Sequence, residues 1–304
     1  MRVYDLAMTH KLDADDFFIH RVQQHCAERG LNFFLIEPLW VEEFLVKFVA
    51  GEVEVKVLLN LHSEHHLPDD VYHRLIQLAA DRKTRVIDPP EVALASFNKA
   101  TLHPRLIAAG ISVPPTLIVA REQVADLRLS DADRALLGSP FVIKPSLGYG
   151  RRGVRLDATS ESDLARSQTT WPDPQLLLQH RIEPRSIAGS PAYFRVYFVF
   201  GSTWICWWNC FTDHYRLVTE SELKEFGLVR LAEIIVRIAK LTGMNFFSTE
   251  IAQTGTGEFV VIDYVNDQCH LLTQSASPAN GVPDELVANI ARRLVESAQH
   301  MIRP

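Results

Sequence analysis

Cysteine is scarce in this chain. Cys26, Cys206, Cys210 and Cys269 are 4 of 304 residues, at spacings that make no regular framework. That argues against a disulfide-stapled scaffold and for a reducing compartment, the cytoplasm. Cys206 and Cys210 are near enough in sequence to pair, although buried thiols are the simpler reading. A basic excess is also missing: 31 Lys and Arg stand against 37 Asp and Glu, a formal net charge of −6. No electrostatic footprint for nucleic acid follows from that balance, while local basic clusters can still hold small anions. Long apolar runs are absent. VYFVF (196–200) and WICWW (204–208) are short and divided by Gly201, so no membrane partner is expected. The opening MRVYDLAMTHKLDADDFF meets an acid at Asp5 before any apolar stretch develops, which is not the pattern of a secretory signal. Internal repeats and low-complexity tracts are absent as well.

What is present is a substantial store of core-forming side chains. Hydrophobic residues make up 47% of the chain, with 16 Phe and 5 Trp, enough for two or three compact units. The first ~95 residues alternate strand and helix signals. Residues 1–8 read as a strand, 13–29 as a helix stopped by Gly30, 31–38 as a buried strand, and 41–50 as a short helix. A strand over 53–60, a helix over 68–81 and a strand over 84–88 follow. The segment after residue 91 is helical up to Gly110, and Pro114-Pro115 introduces a strand over 116–119. Further on the pattern predicts strand, glycine loop and strand over 140–157, then a helix over 161–168 and a strand over 175–181. The rest reads as a strand pair around Gly201, an amphipathic helix over 223–241, strands over 246–253 and 258–265, and a last helix over 284–299. The fold class is α/β plus α+β, a parallel-sheet unit followed by antiparallel pairs.

The chemistry concentrates in FVIKPSLGYGRRGV (141–154), where Gly148, Gly150 and Gly153 form a literal G-x-G-x-x-G. A dinucleotide fingerprint needs a helix to open inside the motif. Here Val154-Arg155-Leu156-Asp157 alternates as a strand. A protein-kinase loop needs its lysine in the strand after the glycines. Here Lys144 precedes them, and the chain has neither H-R-D nor D-F-G. A third layout remains, with strand, glycine loop and strand, and the lysine on the first strand. Its backbone N–H groups, Arg151, Arg152 and Lys144 are all phosphate donors. A plain hairpin is the bland reading of the same stretch.

This stretch resembles the lysine and glycine loop of the ATP-grasp enzymes, and the resemblance continues in order from about Asp88 to Glu296. Lys99, opening the helix after Phe97-Asn98, matches a family lysine that reaches ATP phosphates. LLLQHRIEP resembles the strand and hinge that hold adenine, which implies roles for Gln179, His180, Arg181 and Ile182, with Glu183 at the ribose. YFRVYFVFG resembles the family strand whose arginine, here Arg195, meets the transferring phosphate. A lone charge in such an alternating apolar run needs an anionic partner. STEIAQTGTGEFVVIDYVND resembles the family's last strand pair, which implies Glu250, Asp263 and Asn266 as ligands for Mg²⁺, a hard cation suited to oxygen donors. Each of these residues also has an ordinary structural reading, as a solvated lysine, a surface carboxylate or a salt bridge.

The resemblance implies an N-terminal α/β domain (1–96), a central ATP-grasp lobe (97–183, with the glycine loop at 146–153) and a C-terminal lobe (184–304), with ATP held between antiparallel sheets. It also implies an ATP-dependent carboxylate–amine ligase acting through an acyl-phosphate, on small-molecule or peptide substrates, and a homodimer as the oligomer to test for. Two readings stand beside it: a small-molecule kinase of the inositol-phosphate-kinase type, and a nucleotide-binding regulator without turnover. Three departures bear on the choice. Tyr193 replaces an acid. Asp263 and Asn266 are three residues apart where the family spaces them by two, so either a bulge realigns them or Tyr264 holds the acid position, with Asp267 in reserve. The family's proline-glycine element after the asparagine is also missing. Arg216 is a candidate for binding a substrate acid. The His62-Ser63-Glu64-His65-His66 loop has metal-ligand residue types but no second cluster, and a substrate contact is its other reading. Cys269 and His270, adjacent on an extended chain, point apart, and WICWWNC reads as sheet core.

Overall fold

The computed structural model describes residues 1–10, 15–62 and 67–303. In chain order the elements are β1 (Arg2–Thr9), α1 (Asp16–Glu28), β2 (Phe33–Ile36), α2 (Val41–Val49), β3 (Val53–Leu59), α3 (Val71–Asp81), β4 (Arg85–Ile87), α4 (Pro90–Phe97) and α5 (Lys99–Ala108). There follow β5 (Thr116–Ala120), α6 (Asp131–Leu137), β6 (Phe141–Pro145), β7 (Arg155–Ala158), α7 (Ser162–Thr170), β8 (Gln175–His180), β9 (Ser186–Ile187) and β10 (Ser190–Pro191). The last third holds β11 (Tyr193–Val199), β12 (Ser202–Asn209), β13 (His214–Leu217), α8 (Glu220–Glu225), α9 (Val229–Thr242), β14 (Phe246–Gln253), β15 (Phe259–Asn266) and α10 (Asp284–Ile302).

The chain forms two compact units. The first comprises Met1–Leu94, Phe194–Ser248 and Asn266–Pro304, and the second Ala95–Tyr193 and Thr249–Val265. In the first, β2-β1-β3-β4 make a parallel sheet, with Met8 beside Leu35 on one side and Leu59 on the other. β3 shows why a strand forms here: VEVKVLL alternates buried and exposed before becoming wholly buried. α3 starts at Val71, later than the sequence pattern suggests. The Asp70 side chain accepts the Tyr72 N–H at 2.8 Å and so fixes the first turn. A buried cluster including Phe44, Phe48, Leu58, Leu75 and Ile76 fills one face of the sheet.

The order β13-β12-β11-β14-β15 makes a five-stranded sheet, and the boundary between units runs through β14 and β15. The predicted single helix over 223–241 is two helices. Gly227, at φ +68°, ends α8 and lets the chain restart as α9. α8 has a single apolar residue, Leu223, and buries none, so the amphipathic pattern over 223–241 is that of α9 and does not mark the break. α6 was not foreseen either. It is only seven residues long and rests on a capping box, Ser130 Oγ accepting from Asp133 N while Asp133 accepts from Ser130 N. The second unit is built on the antiparallel sheet β5-β8-β6-β7, with Leu137, Phe141, Ile143, Leu164, Leu176 and Leu178 at its core. Among the described residues no helix is long and apolar enough to cross a membrane, and no disulfide forms.

Asp88, just past β4, ties the first unit together. Its carboxylate accepts the Asn245 and Phe246 backbone N–H groups at 2.9 Å and the Asn245 amide at 3.1 Å. Burial nevertheless outweighs these donors and raises its pKa from 3.8 to about 6. The folded chain therefore holds this proton through a window in which the unfolded chain has lost it. The resulting stabilisation is complete below the unfolded value and is lost as pH rises through about 6. Wild-type stability minus that of Asp88→Asn is thus expected to fall between pH 4 and pH 6, by at most ~1.4 kcal/mol per pH unit. Urea titrations of both proteins across that range check it, and a constant difference would refute the assignment.

Candidate functional site

The second unit gathers most of the predicted residues. Lys99 is the first residue of α5, a helix capped by Asn98, whose side chain accepts the Thr101 N–H at 3.1 Å. Its position is also fixed through the main chain, where Lys99 N donates to Ser146 O at 2.9 Å. The Lys99 ammonium donates to Gly148 O at 2.9 Å, lies 3.8 Å from Asp263 Oδ1, and sits 5.4 Å from the Phe97 ring centroid. Lys144 projects from β6 and donates to Ile262 O on β15 at 2.6 Å. Burial lowers its pKa, the carboxylates of Asp263 and Glu250 act in the opposite direction, and Lys99 adds to the lowering. Two ammonium groups and two carboxylates therefore converge within one unit.

The glycine loop lies between β6 and β7. Gly150 and Gly153 have φ of +57° and +71°, and Arg151, a residue with a side chain, has φ of +60°. At Gly153 a Cβ would sit 2.7 Å from Pro145 Cγ and 2.8 Å from Trp171 Cβ, so glycine is required for both conformation and space. Arg151 and Arg152 are exposed. Asp173, which no motif marks, holds the entrance to the loop. It accepts from Ser146 Oγ at 2.5 Å and from Leu147 N at 2.9 Å while 1% exposed. Its setting between two prolines, Trp171-Pro172-Asp173-Pro174, was the available signal, since such a turn places a carboxylate rigidly.

The hinge residues divide by environment. Gln179 is buried on β8, and its Nε2 donates to Tyr264 Oη at 2.7 Å and to Thr116 Oγ1 at 3.1 Å. His180 is exposed, with Nδ1 3.0 Å from Leu137 O. Arg181 pairs with Glu183 at 2.9 Å. Ile182 O accepts from the hydroxyl of Tyr193 at 3.3 Å.

Tyr264 is 1% exposed and lies at the centre of a buried network. Its oxygen accepts from Gln179 Nε2 at 2.7 Å, and His103 Nδ1 lies 2.6 Å from it. Burial lowers the His103 pKa and raises that of the Tyr264 hydroxyl. Tyr264→Phe is expected to cost ~1–3 kcal/mol, the penalty for leaving buried polar partners unsatisfied. Chemical denaturation measures this, and an unchanged midpoint would contradict it.

Glu250 on β14 and Asp263 on β15 are partly buried. The two strands are joined beside them by Thr249 Oγ1 donating to Asp263 O at 2.8 Å. Carboxylate oxygens are the hard donors that Mg²⁺ takes, so in chemical type this pair fits the ion the resemblance implies. Among the described residues no group of three or more His, Cys, Asp or Glu converges as metal ligands.

The remaining predicted residues belong to the first unit. Asn266 ends β15, with Nδ2 3.5 Å from Ser248 O. Arg195, 8% exposed on β11, donates to Ser248 Oγ at 3.4 Å and lies 5.3 Å from the Trp208 ring centroid. Asp267 is buried and accepts from Gln268 N at 3.0 Å. Arg216 is engaged by Glu222 through two contacts of 2.7 and 2.9 Å. Burial raises the Cys269 thiol pKa to about 12, which removes thiolate character, and His270 Nε2 is 3.0 Å from Asn280 O. Of the histidine-rich loop, residues 63–66 lie outside the described residues. His62 is buried, its ring 3.9 Å from that of Tyr72 and its Nε2 3.3 Å from Asp70 Oδ1.

No protein-family model matches the chain, and no curated protein sequence matches it. Solved structures do. A RimK-domain ATP-grasp protein from Sphaerobacter thermophilus is 18% identical, with 97% of this chain and 98% of that one covered at a TM-score of 0.61. The D-alanine–D-alanine ligase of Bacillus anthracis, solved with ATP, is 15% identical, with coverage of 99% and 98% at 0.66. The ATP-grasp ligase PsnB, solved with a precursor peptide, is 13% identical, with coverage of 100% and 99% at 0.61. Such identities establish architecture, and the architecture is continuous over nearly the whole length: the chain has the ATP-grasp fold.

Proposed function

We propose that this protein is an ATP-dependent carboxylate–amine ligase. The observation that carries the reading is the convergence of Lys99, Lys144, Glu250 and Asp263 beside the glycine loop within one unit. Phosphoryl transfer asks little more of a protein than placement and charge neutralisation, and this set supplies groups for both. Lys99, Lys144, Arg151 and Arg152 bind phosphate oxygens, with the backbone at Gly148, Gly150 and Gly153. The hinge from Gln179 to Ile182 takes the adenine, and Glu183 takes the ribose. Glu250, Asp263 and Asn266 hold Mg²⁺, which when bound neutralises phosphate charge. Arg195 stabilises the transferring group.

In this reading a carboxylate takes the terminal phosphoryl group of ATP. An amine then displaces phosphate from the acyl-phosphate, leaving ADP, phosphate and an amide. The fold neighbours favour a ligase over a kinase, because D-alanine–D-alanine ligase and PsnB are both ligases by name. They extend the acceptor class from small amino acids to peptides. The functional division we propose remains 1–96, 97–183 and 184–304, in a cytoplasmic protein.

The test is ³¹P NMR of the protein with Mg-ATP and a deproteinised cell extract, with Lys144→Ala as control. ADP and inorganic phosphate that grow only with extract, and only in the wild type, support the ligase. A new phosphate-ester resonance replaces it with the kinase. Tight nucleotide binding without turnover replaces it with the regulator, a reading that Tyr264, two residues before Asn266 and tied to His103 and Gln179, specifically favours.

A further inference from the structure

We propose that Trp171 is a positioning residue for the glycine loop, holding Arg152 and the Gly153 backbone in place for a polyphosphate. The proposal rests on the nucleotide reading above. Trp171 lies outside the glycine motif, in the turn between α7 and β8. The Arg152 guanidinium carbon is 5.5 Å from its ring centroid and 5.2 Å from that of Tyr149. The two rings meet edge to face, with centroids 5.3 Å apart and planes at 82°. One cation therefore contacts two aromatic rings, and Arg152 Nη1 also reaches Tyr149 Oη at 3.4 Å. The Cβ of the same residue packs on the main chain, since a Cβ added at Gly153 would lie 2.8 Å from Trp171 Cβ. Ser167 Oγ, from α7, donates to Gly153 O in the same place.

These contacts fix a loop that its glycines would otherwise leave free. Arg152 is exposed, and an exposed arginine ordinarily samples many rotamers. The aromatic pair narrows that set before any ligand arrives, so that binding a phosphate has less side-chain freedom to remove. Charge-assisted hydrogen bonds to phosphate are stronger than an exposed cation–π contact. The guanidinium can therefore exchange from the rings to a phosphate, while Trp171 goes on holding Gly153.

Two readouts test this on the full-length protein. The first is amide hydrogen exchange over residues 148–153 without ligand. Trp171→Leu should speed it about two- to five-fold, the loss of one exposed cation–π contact. Trp171→Phe, which keeps an aromatic face, should stay close to wild type. The second is calorimetric binding of Mg²⁺ with the imido analogue of ATP. Trp171→Leu, which keeps the Cβ against Gly153 and removes only the ring from Arg152, and Arg152→Ala should each weaken it, and the double variant should be no weaker than Arg152→Ala alone. If the wild type binds and the Leu variant matches it in both readouts, the clamp is refuted. The clamp is also refuted if the two losses add in full. If the wild type binds no nucleotide but its loop is protected and the Leu variant's is not, the nucleotide reading falls and the loop-holding contact stands. Should Trp171→Leu fail to fold, Arg152→Ala and Trp171→Phe still give both readouts.

Discussion

Lys144→Ala should lower kcat/KM for ATP by about 10²- to 10³-fold, the typical loss when one preorganised donor to developing charge is removed. Lys144 is well suited to so large an effect. Its ammonium is desolvated, and the carboxylates of Glu250 and Asp263 counter the effect of burial on its pKa. An ammonium in a part-buried setting acts on a phosphate with less screening than one in open water. The substitution also removes the 2.6 Å bond to Ile262 O, so a modest loss of stability, about 1–2 kcal/mol, should accompany the kinetic loss. Steady-state kinetics and a thermal melt on the same preparation separate the two. Lys144→Arg makes a stringent comparison, because it keeps the charge but not the shape or reach. Full activity in Lys144→Ala would remove this residue from the phosphate site and weaken the whole assignment.

The parts of this molecule that could be read from sequence are those in which a single residue type has a single physical reason. Gly148, Gly150 and Gly153 could be read as a loop because three glycines at this spacing between strand patterns leave few alternatives. Arg195 stood out as the one charge in an apolar strand, where burial demands a partner, Lys144 by its place on the strand before the glycine loop, and Glu250 and Asp263 through the resemblance. The strands themselves followed from alternation, as in β3. What could not be read depends on long separation or on competition between local signals. Tyr264 looked like a misplaced acid position. Its place in the fold comes from His103 and Gln179, which stand 161 and 85 residues away, and no local pattern carries that information. Trp171 and Asp173 sit in a turn that presents as punctuation, and their role at the loop appears only when α7 and β6 are adjacent. The break at Gly227 was hidden for another reason, because the strong amphipathic pattern of α9 carries the helix reading back across the glycine into α8, which buries no residue.

Gly153→Ala should be the most damaging single change in the glycine loop. The position combines two independent constraints. Its φ of +71° disfavours any residue with a Cβ, at a cost of roughly 1–2 kcal/mol. The added Cβ would also sit 2.7 Å from Pro145 Cγ and 2.8 Å from Trp171 Cβ. Neither neighbour is the far end of a flexible chain, so the backbone must move, and such overpacking typically costs a further ~1–3 kcal/mol. Gly150 provides the internal control. It shares the positive φ, at +57°, but a Cβ there would meet nothing within 4 Å. Gly150→Ala should therefore show the conformational cost alone, and Gly153→Ala that cost plus the steric one. If the loop carries phosphate, nucleotide affinity should fall in the same order, measured by calorimetry beside urea denaturation. Equal losses of stability at the two glycines would show that the packing of Trp171 and Pro145 on Gly153 does not constrain the loop. A Gly153→Ala protein that loses stability yet binds nucleotide like the wild type would separate the loop's structural role from any role at the phosphates.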